Sequence, residues 1–177
     1  RLKVLKVRSA VAHNKGEWQE AIKYLKTQLR YAKELKLWEL EARTQLDIGD
    51  VLNRLQDREE GRKRVEQVLK ISQERKHISI QVEAYHLLCA FAWMDGDLER
   101  CEFLSEQGLA LLPTDDLSLA KAKILLSISA LNAAQGKLPI ACEQMTEAAS
   151  ILQRLTRKEL LSIVLCNLAE VLLWRGM

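Results

Sequence analysis

Glycine and proline are scarce in this 177-residue sequence, which has seven glycines and two prolines. A β-sheet protein of this size needs a turn about every 8–12 residues, and turns favour Gly, Pro and Asn. The scarcity therefore argues against all-β and α/β folds and favours an all-α fold. Charged residues make up 29% and are nearly balanced in sign, which argues against disorder. No apolar run approaches the roughly 18 residues of a membrane span, so we expect no contact with a membrane.

Cysteine is also sparse, and its spacing is not that of a metal site. No C-x-x-C pair occurs, and no histidine stands at ligand spacing from a cysteine. All four cysteines lie among apolar or small residues, so we interpret them as buried, reduced thiols of a cytoplasmic protein. They are Cys89, Cys101, Cys142 and Cys166.

The sequence lacks the motifs of the common catalytic sites. It has three histidines and no Ser/His/Asp or Cys/His grouping with a defensible spacing. It also has no glycine-rich phosphate loop, HExxH segment or EF-hand pattern. We therefore expect no enzymatic activity, no catalytic residue, no metal and no cofactor.

An internal repeat of 40 residues is the strongest positive feature. Glycines stand at Gly16, Gly96, Gly136 and Gly176, and Gln56 occupies the missing position. Two columns of small residues obey the same offset, one seven residues before each of these positions and one five residues after. Small residues at one position of paired helices allow two backbones to approach closely, so each unit is interpreted as a tight helical hairpin, helix A followed by helix B. The two columns are Ser9, Gly49, Cys89, Ser129 and Ala169, and Ala21, Gly61, Cys101 and Ala141.

This pattern resembles the tetratricopeptide repeat. One unit shows Leu88-Cys89, Gly96, Cys101 and Pro113 at the positions where that family has an aliphatic-small pair, a turn glycine, a small contact residue and a terminal proline. The period of 40 departs from the standard 34. Longer units of this kind are similar to the superhelical sensor domains of MalT-like bacterial regulators and to the arrays of cell-polarity adaptors and quorum-peptide receptors. HEAT repeats share the period but lack the glycine and alanine columns.

The resemblance implies an all-α fold, a right-handed α-α superhelix of stacked hairpins with about four and a half repeats. We place the repeats at approximately 1–40, 41–80, 81–120 and 121–160, with a half repeat at 161–177, in a single domain 1–177. Both terminal helices would then expose apolar faces that a neighbouring repeat normally covers. We therefore expect a fragment of a longer protein, or self-association through the uncapped terminal helices.

In this family the A helices line a concave groove that binds partners. Counting by the 40-residue offset gives columns of groove residues that are polar and mostly basic in the first half and apolar around one tryptophan later. Residues 1–40 carry ten basic and four acidic groups, whereas residues 81–120 carry one basic and eight acidic groups. The alternative is a set of solvated or core side chains with no ligand. The predicted partner-binding residues are Lys6, His13, Arg43, Asp50, Asn53, Arg54, His86 and Trp93.

A cationic groove with an aromatic anchor suits a protein or peptide segment with an acidic group. We therefore predict a non-catalytic binding scaffold, the sensor or interaction domain of a bacterial signalling or transcription regulator. The first alternative is a small-molecule effector sensor of the MalT-like kind, and the second is a self-assembly module. Direct RNA binding would require the same polar pair in every unit, and the columns are not uniform, so we expect no contact of this domain with nucleic acid.

Overall fold

A computed structural model describes residues 1–176 of the chain, and these residues form nine α-helices and no β-strand. The prediction of an all-α fold is therefore confirmed. The helices are α1 Leu2–Asn14, α2 Trp18–Glu34, α3 Trp38–Arg54, α4 Arg58–Glu74, α5 Ile78–Met94, α6 Leu98–Ala110, α7 Leu119–Ala134, α8 Leu138–Arg154 and α9 Lys158–Gly176. Odd-numbered helices are the A helices of the repeat, and even-numbered helices are the B helices.

Within each of two units, helices that follow one another along the chain pack against each other. The contacts divide the chain into two compact units, Arg1–Leu87 and the residues from Leu88 on, with the boundary inside α5. In the first unit α1 packs on α2, α2 on α3 and α3 on α4, and in the second α6 packs on α7, α7 on α8 and α8 on α9. The helices therefore form two serially packed units, and the single domain 1–177 stays a prediction.

The turns between helices share one geometry. A residue with φ between 53° and 76° follows most of the helices, and its amide donates to the carbonyl three residues earlier while the next amide donates to the carbonyl five residues earlier. This is the Schellman arrangement, which satisfies carbonyls that the helix end leaves free. These residues recur every 20 positions, so A–B and B–A turns are alike. They are Gly16, Lys36, Gln56, Lys76, Gly96, Gly136 and Thr156.

Two positions depart from that register. The α6–α7 connection is longer, because α6 ends at Ala110 and α7 begins only after Ser118, whose hydroxyl accepts a hydrogen bond from the Lys121 amide. Gly176 was expected at a turn by the 40-residue spacing, but it is the last residue of α9. Met177 lies outside the described residues.

The two columns of small residues meet at the A–B contacts, as predicted. The members at positions 9, 21, 49, 61, 89, 101, 129 and 141 are all buried. A Cβ atom added to Gly49 would lie 3.2 Å from the Gly61 carbonyl oxygen, and the Cα atoms of Cys89 and Cys101 are 4.4 Å apart. The steric reason for the repeat is therefore the close approach of A and B within each hairpin.

The cysteines differ from the interpretation as four buried thiols. Cys89 and Cys101, which face each other at this small-residue contact, are joined as a disulfide. Cys142 is a buried thiol as expected, whereas Cys166 is a thiol on an exposed position of α9. Burial is thus confirmed for Cys89, Cys101 and Cys142 and is wrong for Cys166, and the expected reduced state is wrong for Cys89 and Cys101. The cysteines therefore no longer argue for a cytoplasmic location.

Each unit has its own apolar core. In the first unit the buried side chains of Ile22 and Leu25 on α2 contact those of Ile48, Val51 and Leu52 on α3. The core of the second unit runs through α7, α8 and α9, and Met145, Ile151, Leu152, Val164 and Val171 belong to it. In residues 1–176, no helix is both long enough and apolar enough to cross a bilayer.

Candidate functional site

The polar side chains of the predicted groove come together in the first unit, where α1 ends and α3 ends. His13 lies in the last turn of α1 and Asp50 in the last turns of α3, and His13 Nε2–H donates to Asp50 Oδ2 over 2.9 Å. Arg54 Nε lies 3.9 Å from Asp50 Oδ1, one helical turn further along α3. We call His13, Trp18, Asp50, Asn53 and Arg54 the His13 cluster.

Trp18 is the member that sequence analysis missed. The turn at Gly16 folds α2 back on α1, so the indole at the start of α2 meets the imidazole edge-on with ring centroids 5.0 Å apart. The Arg54 guanidinium carbon lies 6.0 Å from the centre of the same indole, at the outer limit of a cation–π contact. The signal was present in the sequence, because a residue two positions after a turn glycine lies next to the end of the preceding helix.

Electrostatic interactions inside the cluster favour the charged forms of its acid and base. The hydrogen bond that His13 donates to Asp50 raises the pKa of His13 above its ordinary value of 6.5, although burial opposes this. Burial acts to raise the pKa of Asp50, but the His13 hydrogen bond and the charges of Arg54, His13 and His86 outweigh it and hold that pKa below 3.8. With His13 protonated, the His13–Asp50–Arg54 group carries a net positive charge.

The side-chain oxygen of Asn53 is a hydrogen-bond acceptor that receives no hydrogen bond from the chain. The Asn53 side chain is buried, and its Oδ1 atom has no hydrogen-bond partner within the chain. Asn53 follows Asp50 by three residues on α3, so the two side chains lie on neighbouring parts of one helix face. A buried carbonyl oxygen without a donor costs free energy, and a bound amide N–H would remove that cost.

Arg43 and Glu83 pair with each other at the offset of the repeat. The two residues are 40 positions apart, on α3 and α5, and they form an ion pair. Arg43 also donates from Nη2 to the Ser79 hydroxyl over 3.1 Å. Arg43 was expected to pair with a ligand's acidic group, and the structure gives it an acidic partner from the chain itself.

The remaining predicted residues fall in different surroundings. His86 lies on α5, and its charge adds to those that lower the pKa of Asp50. Lys6 is exposed on α1. Trp93 lies in the second unit with 39% of its surface exposed, and its role as an aromatic anchor stays a prediction.

The described side chains also bear on metal binding. Among residues 1–176, no group of three or more His, Cys, Asp or Glu side chains is placed to hold a metal ion. The His13 cluster offers one imidazole and one carboxylate, and both are engaged with each other.

Comparison with known proteins gives the fold and not the family. No protein-family model matches the chain, and no curated protein matches it. Among solved structures, BtubC (BKLC) from P. vanneervenii superposes with a TM-score of 0.69 at 19% sequence identity. The match covers 97% of this chain and 72% of that chain. At this identity the likeness supports a shared arrangement of helices alone.

Proposed function

We propose that this chain is a non-catalytic scaffold that binds a protein or peptide segment carrying an acidic side chain, with the His13 cluster as the centre of the site. The observation that carries the proposal is the pairing of an orphan buried acceptor, Asn53 Oδ1, with a nearby exposed cation, Arg54. A side-chain carboxylate and a backbone N–H are the two groups that a peptide always offers together when it contains Asp or Glu.

Each member of the cluster has a distinct role in this proposal. The Arg54 side chain is 57% exposed, so its guanidinium can reorient to a carboxylate while Asp50 stays bonded to His13. Asn53 Oδ1 is buried in the unbound chain, so it would accept a backbone N–H of the peptide once the Asn53 side chain turns outward. Trp18 offers an apolar surface beside these polar groups, which suits a residue next to the acidic one. His13 and Asp50 position the others and keep the local charge positive.

The wider assignment rests on the resemblance of the repeats. We propose a tetratricopeptide-like solenoid, with the expected right-handed superhelix, that acts as the sensor or interaction domain of a bacterial signalling or transcription regulator in the cytoplasm. The likeness to a bacterial helical structure is compatible with this, and the 40-residue columns at the A–B contacts support the repeat.

Binding of acidic peptides to variants of the 177-residue chain tests the proposal. A peptide array of matched acidic and amide-substituted sequences identifies a probe, and isothermal titration calorimetry measures its affinity. We expect Arg54→Glu to weaken binding at least about tenfold, the equivalent of 1.4 kcal/mol, because a carboxylate replaces the cation. Asn53→Ala should weaken it about threefold or more, because the peptide N–H then loses its acceptor.

Arg154→Glu is the matched control, because Arg154 is the last residue of α8 as Arg54 is of α3. It should leave the affinity unchanged. Equal losses for Arg54→Glu and Arg154→Glu would reduce the interaction to general charge attraction and refute the site. If no acidic peptide binds, and a neutral metabolite in a thermal-shift screen raises the melting temperature, the small-molecule alternative is the better account.

A further inference from the structure

Helix α9 exposes large apolar side chains among its polar ones. One side packs in the core through Val164 and Val171, yet large apolar side chains on the other sides are about half-exposed or more. Large apolar side chains exposed together on one helix are typical of an interaction surface. The exposed residues are Ile163, Leu165, Leu172, Leu173 and Trp174.

A groove runs along α8 beside this helix. Its volume is about 680 Å³, and its lining includes Ile151 on α8 and Leu168 and Leu172 on α9. Two carboxylates, Glu143 and Glu147, also line it. Glu147 forms an ion pair with Lys121 of α7 over 2.7 Å, so the negative charge that the groove offers is that of Glu143. We call this surface the α8–α9 groove. It presents an apolar floor with negative charge along one helix.

Helix α1 carries the complementary surface. Val4, Val7 and Val11 are 53%, 62% and 47% exposed, and their spacing of three and four residues places them on one stripe. We call this stripe the valine face. Residues 1–16 contain five Lys and Arg side chains and no acidic residue, so basic groups surround the stripe. At 13 residues α1 is about 20 Å long, the size of a helix that fits a groove between two helices.

We propose that the valine face of one copy docks in the α8–α9 groove of another, so that this chain associates head to tail. Both surfaces are apolar, and their flanking charges are opposite in sign, which selects this pairing over valine face on valine face or groove on groove. The contact is heterologous, so a copy that has used one surface still offers the other to a third copy. This interaction is independent of the His13 cluster.

Sedimentation velocity of the whole 177-residue chain tests the proposal. Between about 1 μM and 1 mM, the range of affinities expected for a contact of this kind, the mean mass should rise with concentration. The rise should weaken at high salt, because screening reduces the charge attraction. Val7→Glu on the valine face and Leu172→Lys in the groove should each give a monomer, since each adds a charge that the opposite surface repels.

Sedimentation of a mixture of the two variants tests whether the valine face and the α8–α9 groove bind each other. Val7→Glu keeps its groove and Leu172→Lys keeps its valine face, so the mixture should form a one-to-one dimer that grows no further. Phe103→Glu, at an exposed apolar residue of α6 outside both surfaces, is the matched control and should associate like the wild type. Circular dichroism verifies that each variant keeps its helices.

A wild-type chain that stays monomeric over the whole range would overturn the proposal. So would variants that associate as the wild type does, or a mixture of the two monomeric variants that remains monomeric. None of these outcomes bears on peptide binding at Arg54, which calorimetry measures separately.

Discussion

Replacing Gly49 by Ala has two opposite effects on stability: it raises helix propensity and it adds a methyl group to a tight contact. The distances in the structure indicate which effect is larger. Alanine is the better helix former, and in the middle of α3 it should stabilise by about 1 kcal/mol. However, the new Cβ would lie 2.7 Å from Val65 Cγ2 and 3.2 Å from the Gly61 carbonyl oxygen. Carbon atoms in contact normally keep about 3.5–4.0 Å apart, so the first distance is a clash.

Neither neighbour can move away easily. Val65 is fully buried and β-branched, so its χ1 rotamer in a helix is nearly fixed. The Gly61 oxygen belongs to the backbone of α4, and relief there would shift the helix. Overpacking of this kind costs about 1–3 kcal/mol, and α3 and α4 also lose part of their contact. We therefore expect Gly49→Ala to destabilise by about 1–2 kcal/mol in spite of the gain in helix propensity.

Urea unfolding followed by circular dichroism measures the effect as a lower midpoint at unchanged slope. The same substitution in a Val65→Ala background should cost less by about 1 kcal/mol, because the clashing methyl group is gone. Gly176→Ala is the control, since a Cβ there meets nothing within 4 Å. A midpoint for Gly49→Ala equal to or above that of the wild type would refute the steric account of the repeat.

Three further substitutions test separate parts of the structure. Lys121→Met should destabilise the protein by about 1 kcal/mol in urea unfolding. It removes a buried ammonium group that lies 2.7 Å from the half-exposed Glu147 carboxylate, and solvent around that carboxylate compensates part of the lost ion pair. Thr156→Gly should raise the free energy of unfolding by about 0.5–1 kcal/mol, seen as a higher urea midpoint, because a β-branched residue at φ 55° is strained; no gain would refute this strain. Asp50→Asn should lower the pKa of His13, which an NMR titration measures. A histidine pKa that is raised in the folded state stabilises the protein below about pH 6.5, and this stabilisation is lost as the pH rises through the folded-state pKa. The stability difference between wild type and variant should therefore be larger at about pH 5 than at about pH 8.5.

The contact between helices A and B could be predicted from sequence because it is a steric requirement repeated at fixed spacing. Only small side chains fit where two helix backbones approach closely, so the column of Gly49, Cys89 and Ser129 indicates where helices A and B are in contact. The same spacing placed Arg43 and Glu83 on one column, and they form an ion pair. A packing contact that repeats at fixed spacing can therefore be recognised in the sequence even when no family signature is strong.

The turn register could not be predicted in the same way. Lys36, Gln56, Lys76 and Thr156 adopt the left-handed conformation that glycine prefers, so the residue type does not mark the turn. There the two Schellman hydrogen bonds and the packing of the next helix outweigh a conformational cost of about 1–2 kcal/mol. The glycines recur every 40 residues in the sequence, whereas the left-handed turn residues of the backbone recur every 20 residues.

The sequence columns placed several candidate residues on shared helix faces but did not show how these residues pair with each other, and the binding site itself stays a prediction. A column of charges shows which side chains share a face, but it does not show which of them are already neutralised. Arg43 was expected to bind an acidic ligand group, and it is paired with Glu83 and Ser79 instead. Trp18 lay outside the columns because it begins a B helix, and three-dimensional folding at the Gly16 turn brings it to His13.

This difference between paired and exposed cations decides how the binding site should be tested. Arg43→Glu would place a second carboxylate beside Glu83, between α3 and α5, and the repulsion would disturb the helices themselves. A loss of binding in that variant would then follow from altered packing as readily as from a lost ligand contact. Arg54 is mostly exposed, and Asp50 keeps His13 as a partner when Arg54 is replaced. A binding loss confined to Arg54→Glu, with an unchanged urea midpoint, therefore reports on the ligand, whereas a loss at Arg43→Glu becomes interpretable only when the urea midpoint is also unchanged.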